Sequence, residues 1–246
     1  MNNNYYSREN VMYSDYGNIL LEHLSDSYDY IEKLKKLDRK TNSYDEFSNI
    51  KNQIKFNYIE IIVFSIMCME AFLNDYIASC ILDENYYNNF DMLNVLSKFN
   101  LIVQFIFKDD SDKSEKCASM LKGLNKKRNN LVHSKSNDAS HVAYHSLEEL
   151  EEAKSEMNID DCLDNMMTQD INSCFYLFNE SKQAIITVVE LAKYFDYQDI
   201  DSHALFRIFS FSENYEINEL QCNEKQLKAF EILELKTYHK GNYNEI

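Results

Sequence analysis

Proline is absent from this chain, and glycine occurs only three times, at Gly17, Gly123 and Gly241. Hairpins, sandwiches and tight strand-to-helix turns use these residues for backbone angles that others resist. Folds built on such turns are therefore disfavoured, and helices joined by Asn, Asp and Ser loops are expected. Paired cysteines are missing as well. Cys68, Cys80, Cys117, Cys162, Cys174 and Cys222 stand apart without any CxxC spacing, mostly among apolar neighbours. That is the pattern of reduced core thiols in a cytosolic protein rather than of zinc sites or disulfides. The opening residues, MNNNYYSREN, contain no apolar stretch, so no secretory signal is expected. The longest apolar run, Ile61 to Met69, is bracketed by Glu60 and Glu70 and is far shorter than the roughly 20 residues of a membrane span. It predicts a core helix, and the chain is expected to be cytoplasmic with no membrane partner.

Basic residues are scarce: 25 Lys and Arg stand against 41 Asp and Glu, for a formal charge of −16 in 246 residues. Such a balance argues against non-specific coating of nucleic acid, whose affinity comes largely from phosphate attraction. The scarcity is uneven, however. Lys116, Lys122, Lys126, Lys127, Arg128 and Lys135 fall in one stretch that holds no acidic residue, leaving 19 basic against 41 acidic residues elsewhere. A solvated helix face and a binding strip both account for this island.

The length suits one large domain or one domain with an extension. Residues 1–10 are expected to be a flexible N-terminus, 11–197 a helical domain and 198–246 a helical C-terminal extension. Leu20, Leu24, Ile31 and Leu34 recur at helical spacing in a first helix from Ser14 to Leu37. Ser43 with Glu46 forms a capping box opening a second, long stretch to Leu82, apolar nearly all round in its second half like the central helix of a bundle. Met92 to Phe107 predicts a third helix, although its β-branched and aromatic content runs against propensity. Asp112 and Glu115 cap a fourth that carries the basic island. Ser134 to Ser140 reads as a loop, Ser146 with Glu149 as the start of a short acidic helix, and Ile171 to Phe195 as a strongly amphipathic one. Beyond a linker, DYQDIDS, two short helices are expected at about 203–211 and 223–237.

The chemistry concentrates in the fourth helix, LKGLNKKRNNLVHSK. Asn129 and His133 are four residues apart and share a face, whereas Arg128 and His133 diverge by about 140° unless the long arginine bends round. A fixed cation, an amide and a titratable imidazole are what RNA cleavage without a metal requires. Imidazole exchanges protons with the ribose 2′-hydroxyl or the departing 5′-oxygen, and guanidinium holds the phosphate and its growing charge. Spacing alone is not diagnostic. With four arginines and six histidines, an Arg followed by His five to seven positions later arises by chance with an expectation of about 0.3.

RNNLVH resembles the R-x(4 to 6)-H signature of the HEPN superfamily in its form with a polar residue after the arginine. Upstream, MEAFLNDYI (Met69 to Ile77) resembles the acidic-apolar-Asn pattern on the central helix of many HEPN domains. The resemblance spans roughly residues 11 to 197. It implies an all-α, HEPN-like bundle of four to five long helices with a small helical C-terminal extension. It also implies a homodimer whose two motifs face each other, and a metal-independent endoribonuclease of a toxin-antitoxin or antiviral defence system. Arg128, Asn129 and His133 would then be catalytic, with Glu70 in support, bonded to Arg128. Lys122, Lys126, Lys127 and Lys135 would bind RNA. No metal or cofactor is implied; a neutralising antitoxin or regulatory protein is. The acidic segment from Ser146 to Asp164 departs from a minimal bundle and leaves the subfamily open.

Plainer readings stand beside these. His133 suits a helix C-terminus as a capping cation, and Glu70 suits a structural ion pair. His141 and His145 are spaced i, i+4, but neither HExxH nor a cysteine pair accompanies them, so a metal site is not expected. Tyr86, Tyr87 and Tyr144 read as base-stacking residues or as half-buried packing. A catalytically silent HEPN-like module that binds RNA, nucleotide or a protein partner is the alternative to the enzyme, and a helical scaffold without a nucleic-acid role is a third reading.

Overall fold

A computed structural model describes residues 12–37, 44–80, 89–90, 92–132, 159–209 and 222–235. Among these residues the chain is all-α, without a strand. Its helices are α1 (Met12–Lys36), α2 (Tyr44–Cys80), α3 (Val95–Leu101), α4 (Asp112–Val132), α5 (Ile159–Gln198), α6 (Ala204–Phe209) and α7 (Glu224–Ile232). Expected features at Ser43, Leu82, residues 134–140 and Ser146 lie outside the described residues, as do His133, Lys135, His141, His145, Tyr86, Tyr87 and Tyr144.

α2 is the centre of the arrangement. Its 37 residues pack along α1 on one side and α5 on another, with α3 and α4 closing further faces. Ile61, Ile62, Met69, Phe72 and Leu73 are wholly removed from solvent. By length and composition α2 contains a stretch apolar enough to cross a membrane, and half of that stretch is buried inside the fold. Its apolarity has a structural use in covering α1 and α5.

The third helix differs from the sequence expectation in a physical way. Asn94 rather than Met92 marks its start, its side chain accepting from Ser97 N at 2.9 Å. After Leu101 the backbone widens into a π-helical segment, Ile102–Phe107, closed by Lys108 in the left-handed region at φ 53°. Aromatic packing accompanies this departure. Phe195 of α5 takes Phe72, Tyr76 and Phe107 around it at centroid distances of 5.1, 5.1 and 5.3 Å, each close to edge-on, the geometry that ring quadrupoles favour.

The anticipated linker from Asp196 to Ser202 is ordered structure instead. α5 continues to Gln198 and is followed by a short 3₁₀ turn, Ile200–Ser202. Buried Asp196 accepts from Ser202 Oγ (2.7 Å), Ala204 N (2.6 Å) and Leu205 N (3.1 Å), so a residue read as loop caps α6 from below. Burial raises its pKa, against the opposing pull of those hydrogen bonds. α6 and α7 both lie against α1, and their Leu205, Ile208, Phe209, Ala229 and Phe230 belong to the same apolar core as α2.

Two glycines in helices have opposite surroundings. A Cβ on Gly17 would stand 1.9 Å from the carbonyl oxygen of Ile208, so bare backbone is what lets α6 settle on α1. A Cβ on Gly123 would meet nothing within 4 Å. Gly17→Ala should therefore cost about 1–3 kcal/mol through overpacking, while Gly123→Ala should stabilise by about 0.5–1 kcal/mol through helix propensity. Urea unfolding of the two variants checks the pair, and equal stabilities would contradict the close α1–α6 approach.

Candidate functional site

Most of the basic island occupies the second half of α4, with Lys116 near its start, and its side chains go in different directions. Ser114, Cys117, Leu121 and Leu124 form the buried row of the helix, and Arg128 extends that row by one further step of four. Its stem is accordingly half-buried. Lys122, Lys126 and Asn129 are spaced i, i+4, i+7 on another face, where both lysines are exposed. The guanidinium crosses between the two faces: Arg128 Nη1 donates to Asn129 Oδ1 at 3.0 Å. The neighbouring amide thus gives the guanidinium a fixed direction. His133, four residues beyond Asn129, and Lys135 are the two candidate residues of this stretch that lie outside the described residues.

Lys127 departs from its expected part. Its ammonium pairs with Glu180 of α5 at 2.5 Å, with the carboxylate mostly covered. α4 packs against α5 along this edge, so the cation serves the helix–helix contact. Lys122 and Lys126 are then the exposed cations of the island's second half within the described residues.

Glu70 departs too. Its Oε1 pairs with Lys98 Nζ of α3 at 3.2 Å rather than with Arg128. The lysine side chain is only 1% exposed whereas the glutamate is 44% exposed. A buried ammonium needs a counter-charge, and Glu70 supplies it. Two further residues of the MEAFLNDYI segment are similarly engaged: Asp75 faces Arg207 of α6 at 3.5 Å, and Tyr76 donates to Asp199 at 2.7 Å. Glu70, Asp75 and Tyr76 tie α2 to α3 and to the start of the C-terminal helices.

Two polar anchors escaped sequence reading. Lys98 occupies the inward step of the pattern Val95, Lys98, Phe99, Ile102, and that i, i+3, i+4, i+7 spacing was the available signal. Asp109 accepts from Tyr194 Oη and Gln198 Nε2, both at 2.7 Å, and from Ser111 N at 3.0 Å. Burial opposes its charge, but the hydrogen bonds from Tyr194 and Ser111 prevail and hold the carboxyl below its usual range. Its partners are 85 and 89 residues away, beyond any local pattern. Among the described residues no group of three or more His, Cys, Asp or Glu gathers that could hold a metal.

What remains at the end of α4 is a half-buried guanidinium oriented by an amide, beside two exposed ammonium groups. Chemically, such a set is suited to a phosphodiester, since a planar guanidinium fork matches two phosphate oxygens and ammonium groups attract flanking charges. No family model, curated protein or solved structure matches the chain.

The Glu70–Lys98 pair makes a testable distinction between structural and catalytic roles. Glu70→Gln should lower stability by about 1–3 kcal/mol, since it leaves the buried ammonium without a counter-charge while the exposed side of the pair limits the loss. Adding Lys98→Met should recover part of it. Chemical denaturation of the single and double variants measures this, and an undiminished Glu70→Gln protein would count against the ion pair.

Proposed function

We propose that this protein is a HEPN-type, metal-independent endoribonuclease acting as a homodimer in defence or growth arrest. The observation that carries the reading is the Arg128–Asn129 contact at 3.0 Å in the last turns of α4, on a helix whose other basic side chains include exposed Lys122 and Lys126. Within the R-x-x-x-x-H spacing, Arg128 would hold the scissile phosphate and stabilise charge on its non-bridging oxygens. His133 would take the proton of the 2′-hydroxyl or return one to the leaving 5′-oxygen. Attack of the 2′-oxygen on phosphorus forms a 2′,3′-cyclic phosphate and releases a 5′-hydroxyl end, so atoms and protons balance without a metal. A single imidazole per chain leaves one of the two proton transfers unserved, and pairing of two chains supplies the second. Asn129 acts by orienting Arg128, a part that its hydrogen bond supports.

Incubation of the purified chain with total RNA in EDTA tests this directly. Cleavage should persist in chelator, and His133→Ala should lower it by about 10²- to 10⁴-fold while leaving the helical content unchanged. Arg128→Lys keeps the charge but loses the planar fork, so it too should be strongly impaired. Asn129→Ala should be milder. Full activity in both His133→Ala and Arg128→Ala would refute catalysis and leave a silent RNA- or protein-binding module as the better account.

Binding should separate from chemistry. Because Lys127 is engaged with Glu180, the informative substitution is Lys122→Glu with Lys126→Glu. This variant should weaken RNA binding and flatten its dependence on salt concentration. An unchanged slope in a filter-binding or anisotropy titration would return both lysines to an ordinary solvated face.

A further inference from the structure

At the other end of α4, some dozen residues and so roughly 18 Å before Arg128, a cavity of about 200 Å³ opens between α4 and α5. Its walls are Cys117 and Met120 from α4 and the rings of Tyr194 and Tyr197 from α5. Burial pushes the Cys117 thiol up to about 12, so this wall is neutral at ordinary pH. The rings are held before anything binds. Tyr194 is tied through its hydroxyl to Asp109, and Lys113 Nζ sits 4.5 Å from the centre of the Tyr197 ring. The pre-set lining lowers the ordering cost of a ligand.

Charge of both signs stands around the mouth, and the Asp109 carboxylate behind Tyr194 acts on Lys113. Lys113, Lys116 and Lys193 border the cavity against Asp112 and Glu190. Lys193 is matched by Glu190 at 2.8 Å, whereas exposed Lys116 has no ion-pair partner among the described residues. Size narrows the class of occupant further, because a cavity of about 150 Å³ holds one benzene ring. We infer that the cleft between α4 and α5 is a binding site for a small aromatic anion of one or two fused rings bearing a single carboxylate or phosphate. The ring enters between Met120 and the two tyrosines, and the anionic group meets Lys113 and Lys116. This site is separate from the proposed RNA site and does not depend on it, although both lie on α4.

Methionine methyl NMR on the full chain tests the inference at a known position. With ¹³C-methyl methionine, and the Met120 signal assigned through Met120→Leu, indole-3-carboxylate and phenyl phosphate should each shift the Met120 resonance saturably. The pair of probes distinguishes carboxylate from phosphate as the preferred group. Lys116→Glu should weaken both by about tenfold or more, the loss of a charge-assisted contact, and should leave neutral indole unaffected. Met120→Phe should fill the cleft and block all three. A Met120 methyl that stays still at millimolar ligand overturns the site. So does a response confined to Met12 and Met67, which line a different hollow beside Glu70. Binding of indole as tight as that of its carboxylate, or a Lys116→Glu variant that binds like the parent, overturns the anionic assignment.

Discussion

The burial of α2 governs the rest of this structure. A 37-residue helix that is apolar on nearly every side cannot be covered by one neighbour, because a packed helix shields only the stripe it touches. α1 and α5 take the two broadest faces, and α3 and α4 close the gaps. The position of the candidate site follows from this. α4 is held by its own buried row of Ser114, Cys117, Leu121 and Leu124, so the residues one step beyond, Arg128 and Asn129, emerge at the edge of the core with a fixed direction.

Polar residues in this fold divide between those that hold helices together and those left for binding. Glu70, Asp75, Tyr76, Lys127 and Asp196 each join two segments. A chain with no proline and few glycines has few sharp turns to fix the relative positions of its helices, and side-chain pairs perform part of that work. The same need explains why acidic and basic residues that resemble site components turn out to be engaged elsewhere. A motif defines spacing along one helix, whereas the partner of a charged group is chosen by which helix packs beside it.

Most of the architecture was legible because it rests on local periodicity. The helices beginning near Met12, Tyr44, Asp112 and Glu224 lie within a few residues of their expected positions, since the apolar steps and the Asp, Asn and Glu caps that define them are consecutive in sequence. The π-helical segment was not legible, because it depends on rings contributed by α2 and α5. Asp196 was misread for a related reason: an acidic residue among polar neighbours looks like loop, and only the return of Ser202 and Ala204 beneath it makes it a cap. In the candidate site, the sequence expectation was a bend of Arg128 towards His133, and the contact with Asn129 is a finding of the structure. The engagement of Lys127 with Glu180, 53 positions later, could not be anticipated.

The docking of α7 on α1 also sets an order of events during synthesis. Lys225 reaches Asp26, Lys228 reaches Asp29, and Asn223 and Gln226 reach Glu22 and Asn18, across 199 to 208 positions. α1 and α2 are neighbours in sequence and can pair once both have emerged, but the face of α1 that receives α6 and α7 waits about 200 positions for its cover. At roughly 5–20 residues per second that interval lasts on the order of ten to forty seconds. For that time the nascent protein presents Gly17 and its surrounding apolar row to solvent or to a chaperone, until α6 settles over Gly17 and α7 docks on α1.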